Sequence, residues 1–136
     1  MKTTKRRKIF DTSFTRKVVP VSLIDTEKSA DDFDKKQLKA RSAYFMLNGE
    51  PEFSVNEKAD GRFFLLASER DFFALKMTGT KQLQVRVYAF TDKNAECFSL
   101  LERLKTEKLG AMDEGYLMKR LIAEFGFTQD DIASLI

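Results

Sequence analysis

Residues 64–79 read FLLASERDFFALKMTG, and they set a buried strand directly against a capped helix. The apolar run Phe63-Phe64-Leu65-Leu66-Ala67 has the length of a strand hidden on both faces. Ser68 follows as the expected N-cap, with Asp71 at the capping-box position and Glu69-Arg70-Asp71 as the first helical turn. Backbone N–H groups at a helix start carry partial positive charge, so this corner has the geometry of an anion site. Gly79 ends the helix.

Downstream, residues 82–90 alternate Leu83, Val85, Val87 and Ala89 with Gln84, Arg86 and Tyr88, the pattern of a strand with one packed and one wet face. Asp92 is the expected cap of the next helix, in which Cys97, Leu100, Leu101 and Leu104 recur at helical spacing as far as Gly110. Upstream, residues 52–56 place Phe53 and Val55 between polar neighbours. Ala59-Asp60-Gly61 then turns the chain into residues 62–67, which predicts a hairpin. Before that, Ser29 or Asp31 caps a helix running to about residue 47, with Leu38, Ser42, Phe45 and Met46 on one face and Asn48-Gly49 at its end. Residues 17–24 read as a strand, and Pro20, which lacks a ladder donor, places it at a sheet edge.

The chain of 136 residues is sized for one domain with an appendage, and 43% apolar with 33% charged residues is ordinary for a globular protein. It has no histidine, which excludes Ser-His and Cys-His nucleophile pairs and Cys/His zinc sites. Cys97, the single cysteine, sits among leucines as a small core residue. The net charge of +3 is concentrated at the start, where Lys2, Lys5, Arg6, Arg7, Lys8, Arg16 and Lys17 fall within seventeen residues, while the remainder is net acidic. Such an arm can follow nucleic-acid phosphates, or serve only as a solvated tail. No apolar stretch reaches membrane-spanning length and none at the start resembles a secretory signal, so a cytoplasmic protein is expected.

After Met112 the chain reads as helix. Leu117, Met118, Leu121, Ile122 and Phe125 form a stripe that stops at Gly126, and Thr128 caps a last helix with Asp131 at the capping-box position. Phe127 and Ile132 bracket that cap as a hydrophobic staple. Two helices joined in this way match the first half of a helix-turn-helix, and equally a helical hairpin used for packing or dimerisation.

Three stretches in order make residues 18–136 resemble the ParB N-terminal domain family, which shares its fold with sulfiredoxin. The family's phosphate motif, glycine-Glu-Arg-Arg, one variable residue, then Arg-Ala, is similar to Ser68-Glu69-Arg70-Asp71-Phe72-Phe73-Ala74, with Glu69, Arg70 and Ala74 matching. A second motif, Glu-Asn, two residues, Arg, two residues, Leu, then Pro and paired acids, is similar to residues 102–114, with Glu102, Leu109 and Glu114 matching. Residues 116–133 resemble the start of the family's helix-turn-helix, most specifically at Gly126-Phe127-Thr128-Gln129.

The resemblance implies an α/β (α+β) fold, a small mixed sheet with flanking helices, preceded by a basic flexible arm (1–16), spanning residues 17–110 and followed by a helical segment (111–136). Active members of the family bind and slowly hydrolyse CTP with magnesium while clamping on DNA. Here Ser68 replaces the glycine, Asp71 and Phe73 replace two arginines, Arg103 replaces the asparagine beside the metal-binding glutamate and Thr106 replaces the next arginine. Losing guanidinium groups removes bidentate phosphate contacts. Asp71 adds a like charge costing on the order of several kcal/mol at intermediate dielectric, against the roughly 0.3–1 kcal/mol offered by the helix dipole. Ser68, Glu69, Arg70 and Glu102 are left as a residual nucleotide site, taking CTP with magnesium only if that site works, and no catalytic or metal-ligating residue is assigned. The implied protein is a non-enzymatic, DNA-associated ParB-like protein of partition or regulation in a bacterial chromosome, plasmid or mobile element. Its expected DNA contacts are Lys5, Arg6, Arg7, Lys8, Lys119, Arg120 and Gln129, with DNA and a second copy of the chain as partners and no membrane. The competing readings are a nucleotide switch or nuclease-like enzyme, and an interaction module without DNA.

Overall fold

The computed structural model describes residues 10–135. Its strands are β1 (Thr15–Pro20), β2 (Ile24–Asp25), β3 (Phe53–Glu57), β4 (Phe63–Leu65) and β5 (Gln82–Tyr88). Its helices are α1 (Lys35–Asn48), α2 (Glu69–Met77), α3 (Asp92–Thr106), α4 (Ala111–Phe125) and α5 (Gln129–Leu135). The strands form one mixed sheet in the order β1-β5-β3-β4-β2. β1–β5 and β3–β4 pair antiparallel, β3–β5 and β2–β4 parallel. The predicted hairpin is β3–β4, with Val55 opposite Leu65.

The strand expected over residues 17–24 is instead two strands at opposite edges. β1 starts at Thr15, inside the segment read as arm, and ends at Pro20, where a 3₁₀ turn (Val21–Leu23) carries the chain to β2 beside β4. Pro20 does lie on an edge strand, as its missing donor requires. The segment before α1 also splits. Ser29 and Asp32 close a capping box around a 3₁₀ turn (Ala30–Asp32), and Asp34, not Ser29 or Asp31, caps α1 by accepting from Lys36 N. Leu38, Ser42 and Phe45 are the buried face of α1. Met46, expected on that face, is 74% exposed, because it follows Phe45 by 100° around the helix.

One core lies between the sheet and the α1–α2 pair, where Val55, Phe72, Leu75, Leu83 and Val85 are fully covered. A second is made by helices alone: Cys97 and Leu100 of α3, Leu117 and Leu121 of α4, Phe127, and Ile132 of α5. The two meet at a small cluster of Leu66, Tyr88 and Phe98. Tyr88, expected on the wet face of β5, is only 4% exposed, since Phe90 stacks on it at 4.9 Å and Phe98 packs at 4.8 Å. Phe10 and Phe14 join from before β1, packing at 5.3 Å on Phe90 and 5.4 Å on Tyr88. Buried Asn56 acts as a strand partner for Phe90, accepting from its N–H at 2.7 Å and donating to its carbonyl at 3.2 Å.

At the start of α3 the hydroxyl of Thr91, and not Asp92, accepts from Asn94 N, so Asp92 is the first helical residue. The join and cap of the tail form as their sequence predicts, but Ile122, expected in the α4 stripe, is 40% exposed. Gly126 takes the left-handed conformation with φ 73° that ends α4, and Thr128 and Asp131 exchange backbone-to-side-chain bonds of 2.9 and 3.0 Å at the start of α5.

Candidate functional site

The corner between β4 and α2 opens into a cleft of about 490 Å³ lined from α2, from the segment after β2, from α1 and from the α3–α4 turn. Ser68, Glu69 and Arg70 line it together. Ser68 does not cap α2 as expected. Its backbone is left-handed, with φ 66°, and its side chain makes no capping bond. Among the described residues it is the only one other than glycine with positive φ. The αL backbone swings the hydroxyl away from the N–H groups that an extended N-cap would reach.

The electrostatics of the cleft are set by partners distant in sequence. Asp71 receives Arg41 of α1 through two bonds of 2.9 and 3.5 Å. Glu69 accepts from Lys28 N at 2.9 Å. The N–H of Ser68 donates to Glu107 Oε2 at 3.3 Å, and the other oxygen of that carboxylate lies 3.6 Å from Arg103 Nε. Arg70 is exposed, its guanidinium 5.8 Å above the Phe33 ring, and the Lys28 ammonium lies 5.7 Å over the same ring. Lys28, Arg41, Arg70, Arg103 and Lys108 thus face Glu69, Asp71, Glu107 and Asp113, so the charge in the cleft is nearly balanced from within.

Glu102, expected to complete the site, does not line the cleft. Its neighbour Arg103 does, with Thr106 and Glu107, because consecutive helical residues point 100° apart. The acid that reaches the corner is Glu107, the extended residue that follows α3. Neither Glu107 nor Arg41 carries a sequence signal for this role, since each meets its partner across thirty or more residues.

The expected nucleic-acid contacts separate into three kinds. Lys5, Arg6, Arg7 and Lys8 lie outside the described residues. Lys119 and Gln129 are exposed, on α4 and at the first position of α5. Arg120 is 24% exposed at its side chain and already committed: it holds Glu124 at 2.8 and 2.9 Å and Glu96 of α3 at 3.1 Å, bracing α4 on α3. That guanidinium keeps the Glu124 carboxyl below its ordinary range. Cys97 is buried and its thiol is pushed up to about 11, first by desolvation and then by Glu96, which makes it a poor nucleophile. Among the described residues no cluster of three or more His, Cys, Asp or Glu could hold a metal. No helix there is long and apolar enough to cross a membrane.

No protein-family model matches the chain. It is 32% identical over 82 residues to the probable chromosome-partitioning protein ParB of Neisseria meningitidis, covering 60% of this chain and 29% of that protein. It is 26% identical over 101 residues to the nucleoid occlusion protein of Halalkalibacterium halodurans, covering 74% of this chain and 36% of the relative. The chain therefore spans about a third of the length of these curated relatives. Among solved structures, C-terminally truncated ParB of Caulobacter crescentus complexed to the centromeric parS site superposes with a TM-score of 0.71 over 88% of this chain and 63% of that one, at 21% identity. Sulfiredoxin of Arabidopsis thaliana gives a TM-score of 0.51 at 13% identity, covering 62% of this chain and 96% of the other. The chain has the ParB/sulfiredoxin fold.

Within that fold, the β4–α2 corner of this ParB-like chain is a poor match to a triphosphate. The N–H that would approach phosphate is bonded to Glu107, and the first turn of α2 carries Glu69 and Asp71. Of its cations, Arg41 is held by Asp71. A phosphate group would meet carboxylates of its own sign at the point where the helix offers its positive end. The residues present do not fit CTP with magnesium.

Proposed function

We propose that this chain is a ParB-like DNA-associated protein that acts, without turnover of a nucleotide, in the partition or regulation of a bacterial chromosome, plasmid or mobile element. The observation that carries the proposal is the helical tail: α4 and α5 are joined through left-handed Gly126 and the Thr128–Asp131 capping box, the geometry of the start of a helix-turn-helix. The names of the similar proteins point the same way. In this reading the cations at Lys5, Arg6, Arg7 and Lys8 supply phosphate contacts that are independent of sequence, and exposed Lys119 and Gln129 stand closest to the duplex. Arg120 acts as a brace for that surface. Residence in the cytoplasm at the nucleoid or plasmid, and self-association into a homodimer, belong to the same proposal.

The test is duplex DNA binding followed by fluorescence anisotropy across a salt series. Affinity is expected to fall steeply with salt, and deleting residues 2–8 is expected to flatten the log–log slope by roughly one unit for each phosphate that the deleted cations neutralise. Affinity that ignores salt would count against the proposal. Light scattering on the same sample checks self-association.

A further inference from the structure

Glu107 stands where the two halves of the molecule meet. It follows the last residue of α3 in extended conformation, its N–H bonded at 3.0 Å to Arg103 O, so its side chain is free to turn back from the helix end. The helical half meets the sheet half at the cluster of Leu66, Tyr88 and Phe98, with Phe10, Phe90 and Ala95 packed on it. Asn56 of β3 pairs with the Phe90 backbone, the Ser99 hydroxyl donates to Leu66 O, and Ser68 N donates to Glu107. The last two contacts fall within residues 66–68, between β4 and α2.

We infer that Glu107 is a built-in anion that occupies the start of α2 in place of an external one and latches α3–α5 to the α/β half. Three features support it, the first two linked through the Ser68 backbone. Ser68 adopts a left-handed conformation that is costly for a residue with a Cβ, and its N–H points at Glu107. The hydroxyl that could have satisfied that helix start locally makes no capping bond. Arg103 flanks the carboxylate on its other side. A carboxylate tethered on the same chain acts at an effective concentration on the order of millimolar, so a dissolved phosphate must displace it and enter against its charge. The docking of the two halves is then independent of nucleotide. This inference goes beyond the DNA reading and does not depend on it.

Amide hydrogen exchange and amide chemical shifts of Ser68 and Glu69 in the full chain test it, with tripolyphosphate and CTP–magnesium as probes. In the unmodified chain the Ser68 amide is expected to be protected and to stay unshifted by either probe. Glu107→Ala should speed Ser68 exchange roughly tenfold or more and let tripolyphosphate shift both amides. Glu107→Gln keeps an acceptor without the charge, so it should retain much of the protection while allowing the tripolyphosphate shift, and it decides the matter if the alanine variant does not fold. Ser68 exchange in a folded Glu107→Ala chain equal to that of the unmodified chain, no tripolyphosphate shift in Glu107→Gln, or saturable shifts of Ser68 by either probe in the unmodified chain, would overturn the inference. The salt titration of DNA binding contains no triphosphate, so the two readings fail separately.

Discussion

Ser68 holds its place in the chain at the cost of backbone strain, since a left-handed residue bearing a Cβ costs about 1–2 kcal/mol. Ser68→Gly relieves that strain and loses part of the gain, about 0.4–1 kcal/mol, to the freer unfolded chain. The expected outcome is an unchanged or slightly raised melting temperature, whereas Ser68→Val should lower it, both read by thermal unfolding. Asp25 is a second instructive residue. Arg62 and Lys58 donate to its carboxylate at 2.8–3.2 Å and hold its pKa well below the ordinary 3.8. A carboxyl depressed in the folded state stabilises fully above its unfolded value and loses that contribution as pH falls through and below it. Asp25→Asn should therefore lower the melting temperature at pH 7 and bring the loss between pH 7 and pH 3 below that of the unmodified chain. Equal losses in both chains would show that the Asp25 cluster does not govern acid stability.

At the scale of elements, what the sequence displays is what local chemistry decides. The β3–β4 hairpin, α2 after a buried strand, and the Gly126–Thr128 join are legible because alternation, apolar runs and capping residues are written in consecutive positions. Thr128→Ala removes a cap that is formed in the structure and should cost about 0.5–2 kcal/mol by chemical denaturation. The failures have a common cause. Residues 17–24 read as one apolar strand because periodicity does not say which neighbour each half will pair with, and β1 and β2 end at opposite edges. Ser68 fits the capping box by spacing, but its φ is set by how β4 enters α2. Glu102 is suggested by the family motif, while α3 ends at Thr106 and the extended residue after it, Glu107, reaches the corner instead. Tyr88 reads as solvent-facing until Phe10, Phe14, Phe90 and Phe98 gather over that face, and long-range covering of this kind leaves no mark on the strand itself.

The described residues build one core between the sheet and α1–α2 and another within α3–α5, which meet at the Leu66, Tyr88 and Phe98 cluster. Leu121, fully buried in the helical core, anchors the tail: Leu121→Ala should cost about 2–5 kcal/mol, and amide exchange should show α3–α5 opening before the sheet. The same division separates the roles proposed for the chain. The corner at residues 66–71 identifies the ParB/sulfiredoxin fold while satisfying its own charges, and contact with DNA is assigned to the tail and the basic segment before β1. That assignment meets its most direct test in the anisotropy titration of duplex DNA over a salt series, with the unmodified chain and a Lys119→Ala/Gln129→Ala variant. Binding that weakens steeply with salt, and is weaker still in the variant, is the predicted result; no binding at low salt, or binding that neither salt nor the variant changes, would contradict it.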